Sequence, residues 1–157
     1  MRRNLILAIS IGAIALAAAL IFFVFRSEQV GSVHSGANLR DPAVVALGQE
    51  VYANNCASCH GENLEGQPDW RRRQPDGRLP APPHDDTGHT WHHLDVDLFR
   101  ITKNGVQDIV GPDYKTDMPV FKEILTDDEI WAAIAFIKSK WSERIRLRQR
   151  QIESRQE

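Results

Sequence analysis

Cysteine and methionine are both scarce in this chain, which has two of each among its 157 residues. The two cysteines, Cys56 and Cys59, stand three positions apart. A scaffold of several disulfides is therefore excluded, and so is a zinc site with four cysteine ligands. Because the two thiols are so close in sequence, we expect them to act together. The chain also lacks internal repeats and any useful length of strand-like alternation, which favours an all-α fold.

The net charge of -2 hides a division of the chain into three parts of different sign. Residues 1–26 have a charge of +3, residues 27–137 have nine basic against 18 acidic side chains, and residues 138–157 have a charge of +4. A segment at -9 repels polyanions, which argues against nucleic acid as a partner. It favours a partner with a basic or polar docking face.

A long uncharged run, residues 5–25, lies near the N-terminus. As a helix it would reach about 31 Å, close to the thickness of about 30 Å of a hydrocarbon core. Arg2 and Arg3 precede it and favour a cytoplasmic N-terminus. A cleaved signal peptide is the alternative, but the apolar run continues beyond the small residues Ala15–Ala19. We expect residues 1–26 to form an uncleaved transmembrane helix.

The rest of the chain divides into a linker, a domain and a tail. Residues 27–40 contain glycine and serine without an apolar period, which predicts a flexible linker. Residues 41–141 form the domain. Residues 142–157 form a charged C-terminal extension, expected to be a frayed helix, although its basic side chains could instead contact anionic lipid headgroups.

Within the domain the sequence predicts three helices and two long loops. The first helix should start at Asp41, a capping residue that precedes Pro42. The second should start at Asp95, another capping aspartate, and the third at a Thr-x-x-Glu capping box, Thr126 with Glu129. The first helix should end near Asn54 or Asn55, and Gly105 should end the second. An apolar face marks the third, formed by Ile130, Ile134, Ile137 and Trp141. Residues 62–86 and 106–125 are predicted loops.

The pentad Cys56, Ala57, Ser58, Cys59, His60 is the strongest chemical signal in the chain. Two thiols at this spacing can both reach the vinyl groups of one porphyrin, and the next histidine becomes the proximal iron ligand. One alternative is a thioredoxin-like dithiol, which needs a strand before the motif and a helix after it. The predicted helix before the motif and loop after it oppose that alternative. Another is half of a zinc site, completed by the histidines His84, His89, His92 and His93.

Met118 is the only methionine besides Met1, and it lies in a predicted loop before Pro119. A thioether in this position could fold over the second face of a haem. The alternative is a methionine that fills a gap in the core. A lone methionine before proline in a loop is a poor core candidate, so Met118 is predicted to be the distal ligand.

With these residues the chain resembles the class I cytochromes c over residues of about 42 to 141. The resemblance implies a small fold of three to five helices wrapped around one haem, here preceded by a single transmembrane helix. It implies one haem c, covalently bound to Cys56 and Cys59, with His60 and Met118 on the iron. The glycine that follows His60 continues the usual run of the family.

The resemblance also implies a helix crossing and a haem pocket. Gly48 and Tyr52 on the first helix and Phe136 on the last match the crossing of the family, where glycine permits close approach. A proline carbonyl in this family holds the Nδ1 proton of the proximal histidine. The sequence leaves both Pro80 and Pro82 as candidates. Further pocket candidates are Trp91, at a haem propionate or at the haem edge, and Tyr114.

Residues 70–93 depart from the family pattern. Three consecutive arginines, Arg71–Arg73, are either solvated or contact a propionate or a partner protein. The four histidines of this stretch are either simple exposed side chains, a surface metal site, or a replacement ligand for the iron.

Two axial ligands leave the iron without an open position for substrate, which predicts an electron carrier and not an enzyme. The expected redox partners are membrane respiratory complexes, with no small-molecule substrate. The expected location is a bacterial cytoplasmic membrane, crossed once, with the haem domain on the periplasmic side. An enzyme or gas sensor with an open distal position, and a metal-handling module at residues 84–93, are the rival functions.

Overall fold

The computed structural model describes residues 36–155, and this part of the chain contains helices and no strand. The helices are α1 (Pro42–Asn55), α2 (Ala57–His60), a 3-10 turn (Thr90–His92), α3 (Asp95–Asn104), α4 (Gln107–Val110), α5 (Asp127–Ser139) and α6 (Glu143–Glu153). The prediction of an all-α domain is thereby confirmed. Within residues 36–155 no helix is long and apolar enough to cross a membrane. The predicted transmembrane helix, and the linker up to residue 35, lie outside the described residues.

Helices α1 and α5 cross closely and form the centre of the fold. The Asp41 side chain accepts a hydrogen bond from Ala43 N at 2.9 Å, as predicted for the start of α1. A Cβ atom on Gly48 would lie 1.9 Å from the carbonyl oxygen of Ala132, so only glycine permits this approach. One turn further along, the rings of Tyr52 and Phe136 pack with their centroids 5.4 Å apart. The predicted crossing is confirmed.

Helix α5 starts and packs as its sequence pattern predicts. Thr126 and Glu129 form both hydrogen bonds of the capping box, which satisfies two backbone N–H groups that a helix start leaves unpaired. The four residues of the predicted apolar face are all buried, namely Ile130, Ile134, Ile137 and Trp141. The predicted face is therefore part of the core, with Trp141 lying just beyond the end of α5.

The predicted capping role of Asp95 is wrong. Leu94 occupies the cap position of α3, and Asp95 is the first residue of the helix. Its carboxylate accepts hydrogen bonds from the buried Lys138 ammonium and from Gln149 Nε2, at 2.9 Å for the latter. A buried ammonium needs such a partner, and this long-range demand outweighs the local cap. Gly105 ends α3 with a φ of +93°, as predicted.

The prediction of a frayed C-terminal extension is also wrong. Residues 143–153 form a regular helix, α6, capped by the Ser142 side chain. Its inner face buries Ile145 and Gln149 to 1% exposure each, and Glu153 accepts a hydrogen bond from Asp95 N at 2.6 Å. The polar composition concealed this packing, since only the inner face of α6 contacts the domain.

The two predicted loops differ in regularity. Residues 62–86 contain no helix or strand, as predicted, and backbone hydrogen bonds fold this loop upon itself. Gln67 N donates to Ala81 O at 2.9 Å, and His84 N donates to Leu64 O at 2.8 Å. The second predicted loop, residues 106–125, is not continuous, because α4 forms one short helical turn within it.

Candidate haem site

The two thiols lie on a single short element that continues directly from α1. Cys56 caps the C-terminus of α1, donating its N–H to Tyr52 O at 2.9 Å, and α2 follows with Cys59 and His60. Neither thiol is in a disulfide; Cys56 is partly buried and Cys59 is exposed. Burial, with a smaller contribution from Cys59, raises the pKa of the Cys56 thiol to about 11. Both thiols are thus presented by one rigid turn.

The His60 ring is buried and held in one orientation. Its Nδ1 lies 2.8 Å from the carbonyl oxygen of Pro82, and the side chain is 8% exposed. A carbonyl oxygen only accepts, so Nδ1 carries the proton and Nε2 carries the free electron pair. Burial lowers the pKa of His60, with the Pro82 hydrogen bond opposing the shift. The ring is therefore neutral, the form that binds a metal.

Of the two candidate prolines, Pro82 is the one that meets His60. Pro80 instead lines a surface cleft of about 430 Å³, whose other walls include Arg72 and Arg73. The choice depends on how the loop of residues 62–86 returns to α2. Gly66 N donates to His60 O at 2.8 Å and fixes one end of that return.

Met118 lies on a different apolar cluster from the cysteine motif. It packs against a cluster from α1, α5 and the loop before α5, formed by Val51, Phe121, Leu125, Ile130, Ala133 and Ile134. Cys56 and Ala57 pack against a second cluster, which contains Tyr52, Leu64 and Trp91. Met118 is partly buried, and its N–H donates to Thr116 Oγ1 at 3.0 Å. The fold thus brings the methionine loop against α1, the helix that leads into the cysteine motif, and against α5.

Trp91 and Tyr114 lie in separate places. Trp91 is buried in the cluster beside Cys56, with the Arg148 guanidinium 4.9 Å from its ring centroid. Its buried Nε1 has no hydrogen-bond partner among residues 36–155. Tyr114 is partly exposed and has Arg73 at 5.5 Å from its ring centroid. Trp91 and Tyr114 each contact a different arginine, and their place in a haem pocket stays a prediction.

The unusual stretch of residues 70–93 folds into ring contacts. Arg71 lies 3.9 Å above the Trp70 ring, and Trp70 stacks on His89. His89 meets His93 edge to face, and His92 meets Trp91. Within residues 36–155 there is no group of three or more His, Cys, Asp or Glu side chains that could hold a metal ion. The zinc and metal-handling alternatives gain no support from this geometry.

The remaining histidine, His84, is a contact that sequence reasoning missed. Its ring stacks on His60 with a centroid distance of 4.0 Å and an angle of 20°. Nothing in the local sequence distinguishes His84 from the other three histidines. The one feature that could have identified His84 is its position two residues after Pro82. That position becomes informative only when Pro82 is known to hydrogen-bond to His60.

The residues present match the requirements of a covalently bound haem. Two free thiols on one turn are followed by a neutral imidazole whose Nε2 is available to iron, which is the donor set that c-type attachment needs. The Tyr52 hydroxyl donates to Gly61 O at 2.9 Å and holds the end of this turn.

The family model for cytochrome c matches residues 45–141. The chain belongs to the cytochrome c family. No curated protein and no solved structure matches the chain. The prediction of a class I, single-haem cytochrome c is confirmed, and so is its cofactor, one covalently bound haem c. A cytochrome c domain transfers electrons through its haem and is an electron carrier.

Proposed function

We propose that this cytochrome c is a membrane-tethered carrier that passes electrons between respiratory-chain partners through a haem ligated by His60 and Met118. The observation that carries the proposal is the hydrogen bond from His60 Nδ1 to Pro82 O at 2.8 Å. It leaves the electron pair of Nε2 free and fixes the ring for ligation. Cys56 and Cys59 are the proposed attachment points.

The protein residues hold the cofactor and adjust its redox behaviour. When bound, the haem supplies a one-electron couple between ferrous and ferric iron. Pro82 raises the basicity of His60 through the Nδ1 hydrogen bond. The thioether of Met118 favours ferrous iron and raises the reduction potential relative to a second histidine. His60 and Met118 would hold the haem in both oxidation states, which suits a carrier.

The tether, the location and the partners follow from the sequence. The uncharged run of residues 5–25 is long enough to cross a bilayer, and the arginines before it favour an extracytoplasmic haem domain. An anchor confines the domain near the membrane and raises its local concentration at membrane-bound redox partners. The charge of -9 over residues 27–137 favours partners with a basic docking face.

Visible spectroscopy of the matured protein tests the ligation. The wild type should give a pyridine haemochrome of covalent haem that acidic acetone does not extract, and the ferric form should show the long-wavelength band of thioether ligation. Met118→Leu keeps an apolar side chain of similar volume but removes the sulfur. It should lose the band, retain the covalent haem and bind cyanide more readily.

Two results would contradict the proposed ligation. A thioether band that survives in Met118→Leu would exclude Met118 as ligand. Tight cyanide or carbon monoxide binding by the wild type would indicate an open distal position and favour the enzyme or gas-sensor alternative.

Fractionation tests the tether separately from the haem chemistry. The full chain should remain in the membrane pellet after a carbonate wash and be accessible to protease from the extracytoplasmic side. The matched variant replaces residues 1–26 with a cleavable export signal, and its haem domain should be released in soluble form with an unchanged spectrum. A full chain that washes off would contradict the anchor and leave the haem assignment unaffected.

A further inference from the structure

His84 packs flat against the imidazole of His60 on the inner side of the site. The ring centroids are 4.0 Å apart and the planes are within 20° of parallel. The Pro82 carbonyl engages Nδ1 of the same imidazole at 2.8 Å. The hydrogen bond fixes one edge of the His60 ring, whereas the stacked His84 ring limits rotation of the whole plane about the Cβ–Cγ bond.

His84 can do this because it is itself fixed by the backbone and by a side chain. Its Nδ1 lies 2.7 Å from Thr90 Oγ1. Its N–H donates to Leu64 O at 2.8 Å, and its carbonyl accepts from Trp141 Nε1 at 2.8 Å. Trp141 and Leu64 are both buried in the core.

The surroundings leave little room for another position of this ring. Tyr52 approaches His84 edge to face, with centroids 6.4 Å apart. Pro83, the preceding residue, is buried, and its carbonyl oxygen lies 3.5 Å from Thr90 Oγ1. A ring between a fixed backbone and an aromatic edge has few rotamers available.

We infer that His84 is a positioning residue that sets the rotational orientation of the His60 ring by a flat stack. The inference rests on the proposed function, because it takes His60 as the iron ligand. It adds a second support to the hydrogen bond from His60 to Pro82. Residues that orient a metal ligand in this way can adjust the properties of the metal without coordinating it.

The orientation of an axial imidazole is measurable in the ferric protein. The π orbitals of the imidazole determine how the unpaired spin is distributed over the porphyrin. In a proton NMR spectrum, the order and the spread of the four haem methyl resonances therefore report the orientation of the imidazole plane. His84→Leu fills the space without a flat face and should change this pattern. His84→Phe keeps a flat ring but lacks the hydrogen bond to Thr90, so its pattern should differ from the wild type no more than that of Thr90→Val.

Two further variants complete the design. Thr90→Val removes the hydrogen bond to His84 and leaves the stack, so it should give a smaller change in the same direction as His84→Leu. His93→Ala is the matched control, because this histidine lies in the same segment and its ring meets His89 and not His60. Its methyl pattern should equal that of the wild type.

Each outcome decides for or against the stack. A wild-type pattern in His84→Leu would overturn the inference, and so would a pattern in His84→Phe that is as altered as in His84→Leu. Should His84→Leu not fold, a pattern in His84→Phe that is altered more than that of Thr90→Val would overturn it.

Failure of the proposed ligation would be recognised from a different measurement, the ferric spectrum of a His60 variant. His60→Ala, measured in parallel, should lose the low-spin ferric spectrum of the wild type. If His60→Ala keeps that spectrum, His60 is not the ligand and the proposed ligation fails, whatever the His84 variants show.

Discussion

The His60 side of the site (residues 56–93) and the Met118 side (residues 106–125) are held in different ways. On the His60 side, buried or partly buried bonds connect distant residues, such as His60 Nδ1 to Pro82 O and Trp141 Nε1 to His84 O. On the Met118 side, Asp117 precedes the proposed ligand and is tied to Arg78 by an ion pair at 2.9 Å, in which the Asp117 side chain is 74% exposed.

The difference in exposure indicates which of the two proposed ligands is better prepared for iron. Exposed ion pairs contribute little to stability, whereas hydrogen bonds in a desolvated setting fix geometry. The His60 ring is therefore oriented by a long-range hydrogen bond, whereas the ion pair beside Met118 is exposed. We expect the bond to the thioether to open before the bond to the histidine when the protein is perturbed.

The largest effect is expected where the two sides share support, at the crossing of α1 and α5. Gly48→Ala would place a Cβ atom 1.9 Å from Ala132 O, so the helices must separate. We expect a loss of more than about 3 kcal/mol in the free energy of unfolding, measured by chemical denaturation of the ferric protein. Gln49→Ala on the exposed face of α1 is the control, with a change below about 0.5 kcal/mol. Equal stability of the two variants would refute the close approach.

A smaller loss in the free energy of unfolding is expected from a change in the apolar cluster on the His60 side. Ile145 on α6 is 1% exposed and packs in the cluster with Trp91 and Trp141. Ile145→Ala should cost about 3 kcal/mol through lost burial and the cavity left behind. Leu147 lies on the same helix but is 47% exposed, so Leu147→Ala should cost less than about 0.5 kcal/mol. Thermal unfolding, followed at the haem absorption band, measures the stability of both variants. Similar losses of stability in Ile145→Ala and Leu147→Ala would mean that α6 is detached from the domain in solution.

Two glycines compare the sides directly. A Cβ atom on Gly88 would lie 2.0 Å from Pro83 O, next to the proline that orients His60, and Gly88→Ala should cost about 2 kcal/mol. Gly111, on the Met118 side, has nothing within 4 Å of that position and only a φ of +107°. Gly111→Ala should cost about 1 kcal/mol from backbone strain alone. Denaturant midpoints of the two variants provide the test. A larger loss for Gly111→Ala would reverse the comparison.

The smallest effect should be a pH dependence that belongs to the His60 side, since residues 106–125 contain no histidine. Burial lowers the pKa of both His89 and His93 below the usual 6.5. As the pH falls through 6.5, the unfolded chain binds protons that the folded chain refuses, so the free energy of unfolding decreases. Denaturation at pH 7.5 and pH 6.0 should show this decrease in the wild type.

Replacement of these two histidines should remove part of the decrease. His89→Gln and His93→Gln are the test variants, and His92→Gln, whose ring is exposed, is the control. If all three variants keep the wild-type difference between the two pH values, His89 and His93 are not its source.

Local features of the fold were readable from the sequence. The caps of α1 and α5, the stop at Gly105 and the buried face of α5 all follow from the order of neighbouring residues, because helix starts and apolar periods are encoded within a few positions. The cysteine motif follows for the same reason. The Asp95 prediction failed because its partners, Lys138 and Gln149, lie 43 and 54 positions away.

The sequence by itself determined the family, the cofactor and the three main helices of this cytochrome c. Only the tertiary structure decided that Pro82 and not Pro80 meets His60, that His84 stacks on the same ring, and that α6 packs through Ile145. These contacts depend on where the irregular loop of residues 62–86 and the polar helix α6 pack against parts of the domain that are distant in sequence. No periodic pattern encodes such a meeting, since it is selected by burial and hydrogen-bond geometry once the whole core has formed.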